Sequence, residues 1–209
     1  MKIKSLSIFA AAALLLSACG EPAEQTETVI DETPAVETAT YMADIDATNI
    51  NWRGEVAGVY GHEGYINLKN GKVMVENGKI TGGEFVVDMT GIYPTDTASY
   101  GTDEGTRIED LQGHLANEDF FATETYPTSK FVIKSVNGNT IIGDLTIRDK
   151  TSEETLEVTS MEITEYGMNM SGTLVFDRQK YDVAWVHYMK DMVLSDDIKL
   201  NFSVVTNKI

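Results

Sequence analysis

Three histidines, His62, His114 and His187, are the side chains best suited to chemistry near neutral pH, and Glu63 and Asp119 lie close to two of them in the chain. A zinc centre needs ligands spaced to converge, as in H-x3-H; no histidine pair has such spacing, and His62-Glu63 lacks the second histidine of a zinc hydrolase. No metal is expected. Between Gly61 and Gly64, His62 suits a hydrogen bond to backbone at a tight turn, and His114 suits helix packing or a polar contact at the rim of a core. Nucleophilic hydrolysis finds no G-x-S-x-G elbow. Asp177-Arg178 has the charge to orient a ligand head group, but reads first as an exposed or rim ion pair of little energetic worth. No catalytic residues and no cofactor are expected.

Cys19 has a more specific chemistry. Lys2 and Lys4 precede an apolar run over residues 6–16, shorter than the roughly 20 residues that span a bilayer. The run ends in Leu16-Ser17-Ala18-Cys19, which resembles the lipobox of bacterial lipoproteins, whose cysteine is acylated and becomes the first residue. Residues 1–18 are then a lipoprotein signal peptide and Cys19 a lipidated N-terminus, held in a membrane by two or three acyl chains such as palmitate at about 0.8 kcal/mol per buried methylene. Gly20 stands where an aspartate would favour inner-membrane retention in enteric bacteria, which points to the outer membrane and the periplasmic side of the envelope.

Cys19 is the only cysteine, so a folded domain must be stabilised by packing without a disulfide. Loss of Lys2 and Lys4 with the signal leaves 14 basic residues against 33 acidic ones, a net charge of −19. Such a surface repels nucleic-acid phosphates, and no nucleic-acid partner is expected. Residues 19–40 carry Glu21, Glu24, Glu27, Asp31, Glu32 and Glu37, with Pro22 and Pro34 and no Lys or Arg. That composition predicts a disordered acidic linker. Residues 41–209 are long enough for one domain with a substantial core.

Within this domain alternation dominates. Ile198, Leu200, Phe202 and Val204 share one face, with Lys199, Asn201 and Ser203 on the other, the period of a strand with one buried side. The same parity groups Ile50 with Trp52, Ile66 with Leu68, Phe85 with Val87 and Met89, and Phe131 with Ile133. It continues through Leu145 and Ile147, then Met168, Met170, Leu174 and Phe176. Between Leu156, Val158 and Met161, Ile163 the parity slips, predicting a bulge near Thr159 and Ser160. Asn70-Gly71, Asn77-Gly78 and Asn137-Gly138 predict type I′ hairpin turns. One segment departs from this period: Thr106 to Glu109 fits a capping box, and Ile108, Leu111 and Leu115 recur at helical spacing, followed by the pair Phe120-Phe121. The expectation is all-β, an antiparallel sandwich or barrel with a short inserted helix. A membrane-spanning barrel is disfavoured because most runs are shorter than the about 9–11 residues it needs.

The domain resembles the YceI-like family over nearly its whole length. The resemblance rests on Ile50-Asn51-Trp52 and Gly61-His62-Glu63-Gly64; on Gly82-Gly83-Glu84-Phe85 leading to Val87-Asp88-Met89; and on His114-Leu115 with Asp119-Phe120-Phe121. Tyr126-Pro127, Phe131, the stretch Gly143-Asp144-Leu145-Thr146-Ile147, Phe176-Asp177-Arg178 and Tyr181 complete it. It implies an extended lipocalin-like barrel of about eight strands whose apolar interior holds a long-chain isoprenoid or similar amphiphile. On that reading Ile50, Trp52, Phe85, Val87, Phe120, Phe121, Phe131, Ile133, Leu145, Ile147, Met168, Met170, Leu174, Phe176, Leu200 and Phe202 would contact the ligand, in a monomer or homodimer. Competing readings are a ligand-free envelope stress or interaction barrel, and an enzyme acting on an isoprenoid lipid.

Overall fold

Period-two runs that bury one face must pair edge to edge, and here they pair until no edge is left. The computed structural model describes residues 37–56, 59–186 and 193–209. Its strands are β1 (Thr38–Ala43), β2 (Asn49–Val56), β3 (Tyr60–Glu76), β4 (Lys79–Pro94), β5 (Thr128–Asn137), β6 (Thr140–Ile147), β7 (Lys150–Ile163), β8 (Gly167–Asp177) and β9 (Asp197–Lys208). All pairings are antiparallel, and the sheet runs from β2 through β9, β8, β7, β6, β5, β4 and β3 back to β2. β1 adds no ninth position. β3 pairs with β2 over residues 60–66 and with β1 over 72–76, and β9 holds both strands in the same way, so β1 and β2 share one slot in tandem. The result is the expected barrel of eight strand positions with one inserted helix, α1 (Ile108–Ala116), between β4 and β5.

Several local expectations are corrected. Asn70-Gly71 is not a turn: β3 continues through it, with Asn70 opposite Val86 and Gly71 opposite Phe85, and a register shift after Leu68 absorbs the break in parity. Asn77 and Gly78 do form the β3–β4 turn, both with positive φ, as type I′ requires. At the β5–β6 hairpin the turn residues are Gly138 and Asn139, and only Gly138 has positive φ, the pattern of a type II′ turn. The β7 bulge falls at Thr159 as expected, yet Met161 beyond it is exposed. α1 starts one residue later than its capping pattern suggests, because Asp110, not Glu109, accepts the backbone N–H of Arg107. β1 begins at Thr38, inside the stretch read as linker.

Strand length is the largest correction. β3 has 17 residues, β4 16 and β7 14, so brevity does not argue against a membrane barrel. The outer face does. Lys134 on β5 bridges Asp144 on β6 and Glu153 on β7 across the outside of the wall, where a membrane barrel would carry an apolar band.

The two ends of the barrel differ. Hairpins join β3 to β4, β5 to β6 and β7 to β8 at one end, where Tyr41, Val73, Ile141 and Met168 are 0–3% exposed. The opposite end, the mouth, carries α1, a 3₁₀ turn at Thr97–Ser99 and the segment after β8.

Candidate functional site: an apolar lumen with a polar mouth

Inward residues of the mouth-side half do not meet in the middle. They enclose a cavity of about 890 Å³, a size typical of small-molecule sites. Of the residues that the sequence singled out, Ile50, Trp52, Phe85, Val87, Phe120, Phe121, Phe131, Leu145, Ile147, Met170, Leu174, Phe176, Leu200 and Phe202 line it. Ile133 and Met168 do not. Both are buried, but they lie one inward step toward the hairpin end, where the interior is filled: Phe131 lines the cavity and Ile133 packs below it, and Met170 stands in the same relation to Met168. Parity alone cannot report depth along the axis. Cys19, the signal segment, most of the linker and His187 lie outside the described residues.

Glycines on the wall keep the lumen wide. Trp52 lies across Gly64, Phe85 across Gly71 and Phe202 across Gly172, each glycine being the directly paired residue on the next strand. A Cβ at any of the three would stand 2.5–2.7 Å from the ring, closer than packed carbons allow. Phe131 covers Gly143 in the same way from a diagonal position. Lacking a side chain, each glycine lets an aromatic ring lie against backbone instead of projecting inward.

The mouth is polar. His62 Nδ1 stands 2.9 Å from Asp96 Oδ2 and 3.1 Å from the Tyr100 hydroxyl, and that hydroxyl donates to Asp96 Oδ1 at 2.9 Å. The His62 and Tyr100 rings stack with centroids 5.4 Å apart. Burial alone would raise the Asp96 carboxyl, but hydrogen bonds from His62, Tyr100 and Ser99 outweigh it and hold the group below its ordinary value. An ionised Asp96 only accepts, so Nδ1 of His62 carries the proton. Burial and the Asp96 charge push the Tyr100 phenol well above its usual range. The cluster contains a charge and two rings, but its three polar groups are turned on one another. His62 was expected at a backbone contact; its partner is a carboxylate 34 residues away.

Arg107, at the N-terminus of α1, is held by Asp110, whose carboxyl the arginine hydrogen bonds keep low. His114, on the last turn of α1, borders the lumen, with Trp185 meeting its ring edge-on at 4.7 Å and Phe120 at 5.6 Å. Among the described residues no three His, Cys, Asp or Glu side chains form a metal-binding group.

Arg178 is the main correction. Expected at an exposed or rim position, it is 2% exposed and holds the strap that follows β8. Its guanidinium donates to the carbonyls of Val183, Trp185, Leu194 and Ser195 and to Asp196 Oδ1 at distances of 2.5–3.5 Å. Burial lowers its pKa, with Asp196 and Asp177 opposing. Next to it Tyr181 is fully buried and donates to Glu154 at 2.8 Å, and burial followed by the Glu154 contact pushes its phenol far up. Nothing local in Asp177-Arg178 signals four backbone carbonyls supplied by a loop.

A closed antiparallel barrel with an apolar lumen, sealed at one end and polar at the other, defines a barrel of the lipocalin-like type. The YceI-like domain model matches residues 41–206, and the chain belongs to that family. Among curated relatives, a UPF0312 protein of Staphylococcus epidermidis is 38% identical over 86 residues, covering 37% of this chain and 49% of that one. A UPF0312 protein of Staphylococcus aureus is 31% identical over 106 residues, covering 47% and 62%. The chain thus spans about half to three-fifths of the length of these relatives. Burkholderia cenocepacia BcnA superposes with a TM-score of 0.57 at 19% identity, over 78% of this chain and 98% of that one. A polyisoprenoid binding domain from Saccharophagus degradans, implicated in plant cell wall breakdown, superposes with a TM-score of 0.54 at 11% identity, over 81% and 98%. At these identities the two structures establish a shared fold.

Proposed function

We propose that the protein binds one long-chain isoprenoid or similar amphiphilic lipid lengthwise in the lumen. The observation that carries this is the cavity of about 890 Å³, walled by aliphatic and aromatic side chains and sealed at the hairpin end. Each methylene moved from water into such a tunnel gains about 0.8 kcal/mol, so a long chain binds with few polar contacts. The polyisoprenoid binding named for the Saccharophagus degradans domain supports the reading. Among the described residues, the polar groups of His62, Asp96 and Tyr100 at the mouth are turned on one another, which favours binding over catalysis. An unfilled lumen disfavours a barrel that works without ligand. Leu16-Ser17-Ala18-Cys19 supports a lipoprotein tethered on the periplasmic side of the envelope, with the outer membrane favoured by Gly20.

Leu145 lines the lumen, whereas Thr146 points outward and meets Thr151 at 2.8 Å. Leu145→Trp should abolish the lipid that co-purifies, read by mass spectrometry of a solvent extract, at a cost of about 1–3 kcal/mol with the fold retained. Thr146→Trp should leave the lipid in place. A folded Leu145→Trp protein carrying as much lipid as the parent would refute the lumen as the site. Cys19→Ser tests the tether separately: it should remove the mass of the acyl chains, and unchanged membrane fractionation would refute anchoring.

A further inference from the structure

The lumen is sealed at the hairpin end, so an amphiphile that enters tail first leaves its head at the mouth. Among the described residues, two cations that border the lumen are already committed: Arg107 is bound by Asp110, and Lys130 faces Glu84 at 3.8 Å. One nitrogen is not. His62 stands on β3 directly opposite Gly54, and both residues line the lumen. Its Nδ1 is turned to Asp96 Oδ2 at 2.9 Å and to the Tyr100 hydroxyl at 3.1 Å, and it carries the proton that the ionised carboxylate accepts. Nε2, the other ring nitrogen, is left with a bare lone pair. It has no hydrogen-bond partner among the described residues, and unlike Nε2 of His114 it is not sealed within protein, the His62 side chain being 26% exposed. The Tyr100 ring stacked on the imidazole and the Tyr60 ring, edge-on at 5.3 Å, hold it in place.

We infer, building on the lumen reading above, that His62 receives the head of the bound chain through Nε2 and that this head carries a hydrogen-bond donor, an O–H or N–H. A lone pair fixed at Nε2 accepts and cannot donate, so a hydroxyl is matched while an ether, which only accepts, is not. An anionic head is disfavoured twice. It would meet that lone pair with the Asp96 carboxylate close by, and the chain's net charge of −17 repels it. Asp96 is the positioning residue, since it fixes which nitrogen keeps the proton. His62 therefore sets head-group preference while the apolar wall sets affinity for the chain.

Three probes with one isoprenoid chain separate these roles: geranylgeraniol, its methyl ether and geranylgeranyl phosphate, compared at about pH 8, where the phosphate is a dianion with no proton to give. Binding to the full chain is followed by tryptophan fluorescence, since Trp52 and Trp185 both line the lumen. The alcohol should bind about tenfold tighter than the ether, the worth of one hydrogen bond, and the phosphate no tighter than the ether. His62→Phe keeps a ring beside Tyr100 and removes both nitrogens; it should abolish the alcohol's advantage and leave ether affinity unchanged. Should that variant fail to fold, nitrogen NMR of the parent protein reads the same contact: the signal of the unprotonated Nε2 should move when the alcohol binds and stay in place with the ether. An alcohol advantage that survives His62→Phe overturns the assignment, as does an Nε2 signal unmoved by the bound alcohol or a phosphate that binds tighter than the alcohol. If alcohol and ether bind equally, this inference alone falls; if no probe binds, the lumen reading falls with it.

Discussion

The two halves of the barrel are built from the same strands, each turning one apolar face inward, yet one is solid and the other hollow. Toward the hairpins, Val73, Ile141 and Met168 are at most 1% exposed and the interior is filled. Toward the mouth, Leu68, Leu145 and Met170 on the same three strands border a cavity. Hydrophobicity does not distinguish the halves. What differs is how far the inward groups reach: the rings of Trp52, Phe85 and Phe202 lie against glycines, and the mouth is finished by polar groups that bond one another. The solid half therefore supplies stability, and the hollow half is free to be shaped for a ligand.

Met168 and Met170 give the sharpest way to break this comparison, being the same residue type two positions apart on β8. Met168→Ala should destabilise by about 2–5 kcal/mol, because the filled end cannot collapse around the void. Met170→Ala should cost less, since Met170 borders the lumen and the void it leaves merges with space already there, and should leave lipid capacity intact or increased. Equal losses in urea unfolding would erase the distinction between the halves. The strap comes next. Arg178→Met leaves the carbonyls of Val183, Trp185, Leu194 and Ser195 without their donor and should cost about 2–4 kcal/mol while loosening the mouth. Hydrogen exchange should rise in residues 178–186 and 193–196 and stay unchanged at the hairpin end; protection lost throughout would show that the halves are not independent.

The smallest effect concerns acid. Asp96 has a folded-state pKa below its unfolded value, so it stabilises the fold above the ordinary carboxylate range, near pH 4, and that contribution is lost as pH falls through its depressed folded value. Asp96→Asn should cost about 1 kcal/mol at pH 7 and progressively less toward pH 3, measured as the difference in urea midpoints. A penalty that stays constant across that span would mean that the carboxylate's charge plays no part in holding His62 and Tyr100.

The strand parity was legible because burial on one face leaves a period-two record; Leu145, Ile147, Phe131 and Phe202 all face inward as that record says. Closure was not, since no residue encodes which edge meets which, and β1 and β2 share a slot only because β3 is long enough to pair with both. Asn70-Gly71 misled for a related reason: the dipeptide favours a turn locally, but pairing of both residues with β4, and of Lys72 with β1 just beyond, keeps β3 extended. The β6–β7 turn was missed altogether, because Arg148 and Asp149 adopt positive φ without a glycine, and Arg148 is held there by the carbonyls of Phe120 and Asp182. At the mouth, the bonds that matter join residues far apart in sequence, such as His62 with Asp96 and Arg178 with Ser195. The one signal available was the glycines at inward parity, Gly64, Gly143 and Gly172, whose missing side chains mark places where something else must lie close.

Those glycines set the gauge of the tunnel from outside it. Gly71 belongs with them, and a methyl group there would meet the Phe85 ring first, forcing it off the wall and into the path of a chain, so the bore depends on a residue that the guest never touches. Gly71→Ala would act like a smaller die on the same machine, admitting a slimmer or shorter guest with every contact residue unaltered, whereas a methyl at Gly64 or Gly172 would strike the backbone carbonyl of Tyr93 or Glu157 first. Selection for a different lipid could thus proceed behind the lining, one ring at a time, while the lining itself reads as unchanged.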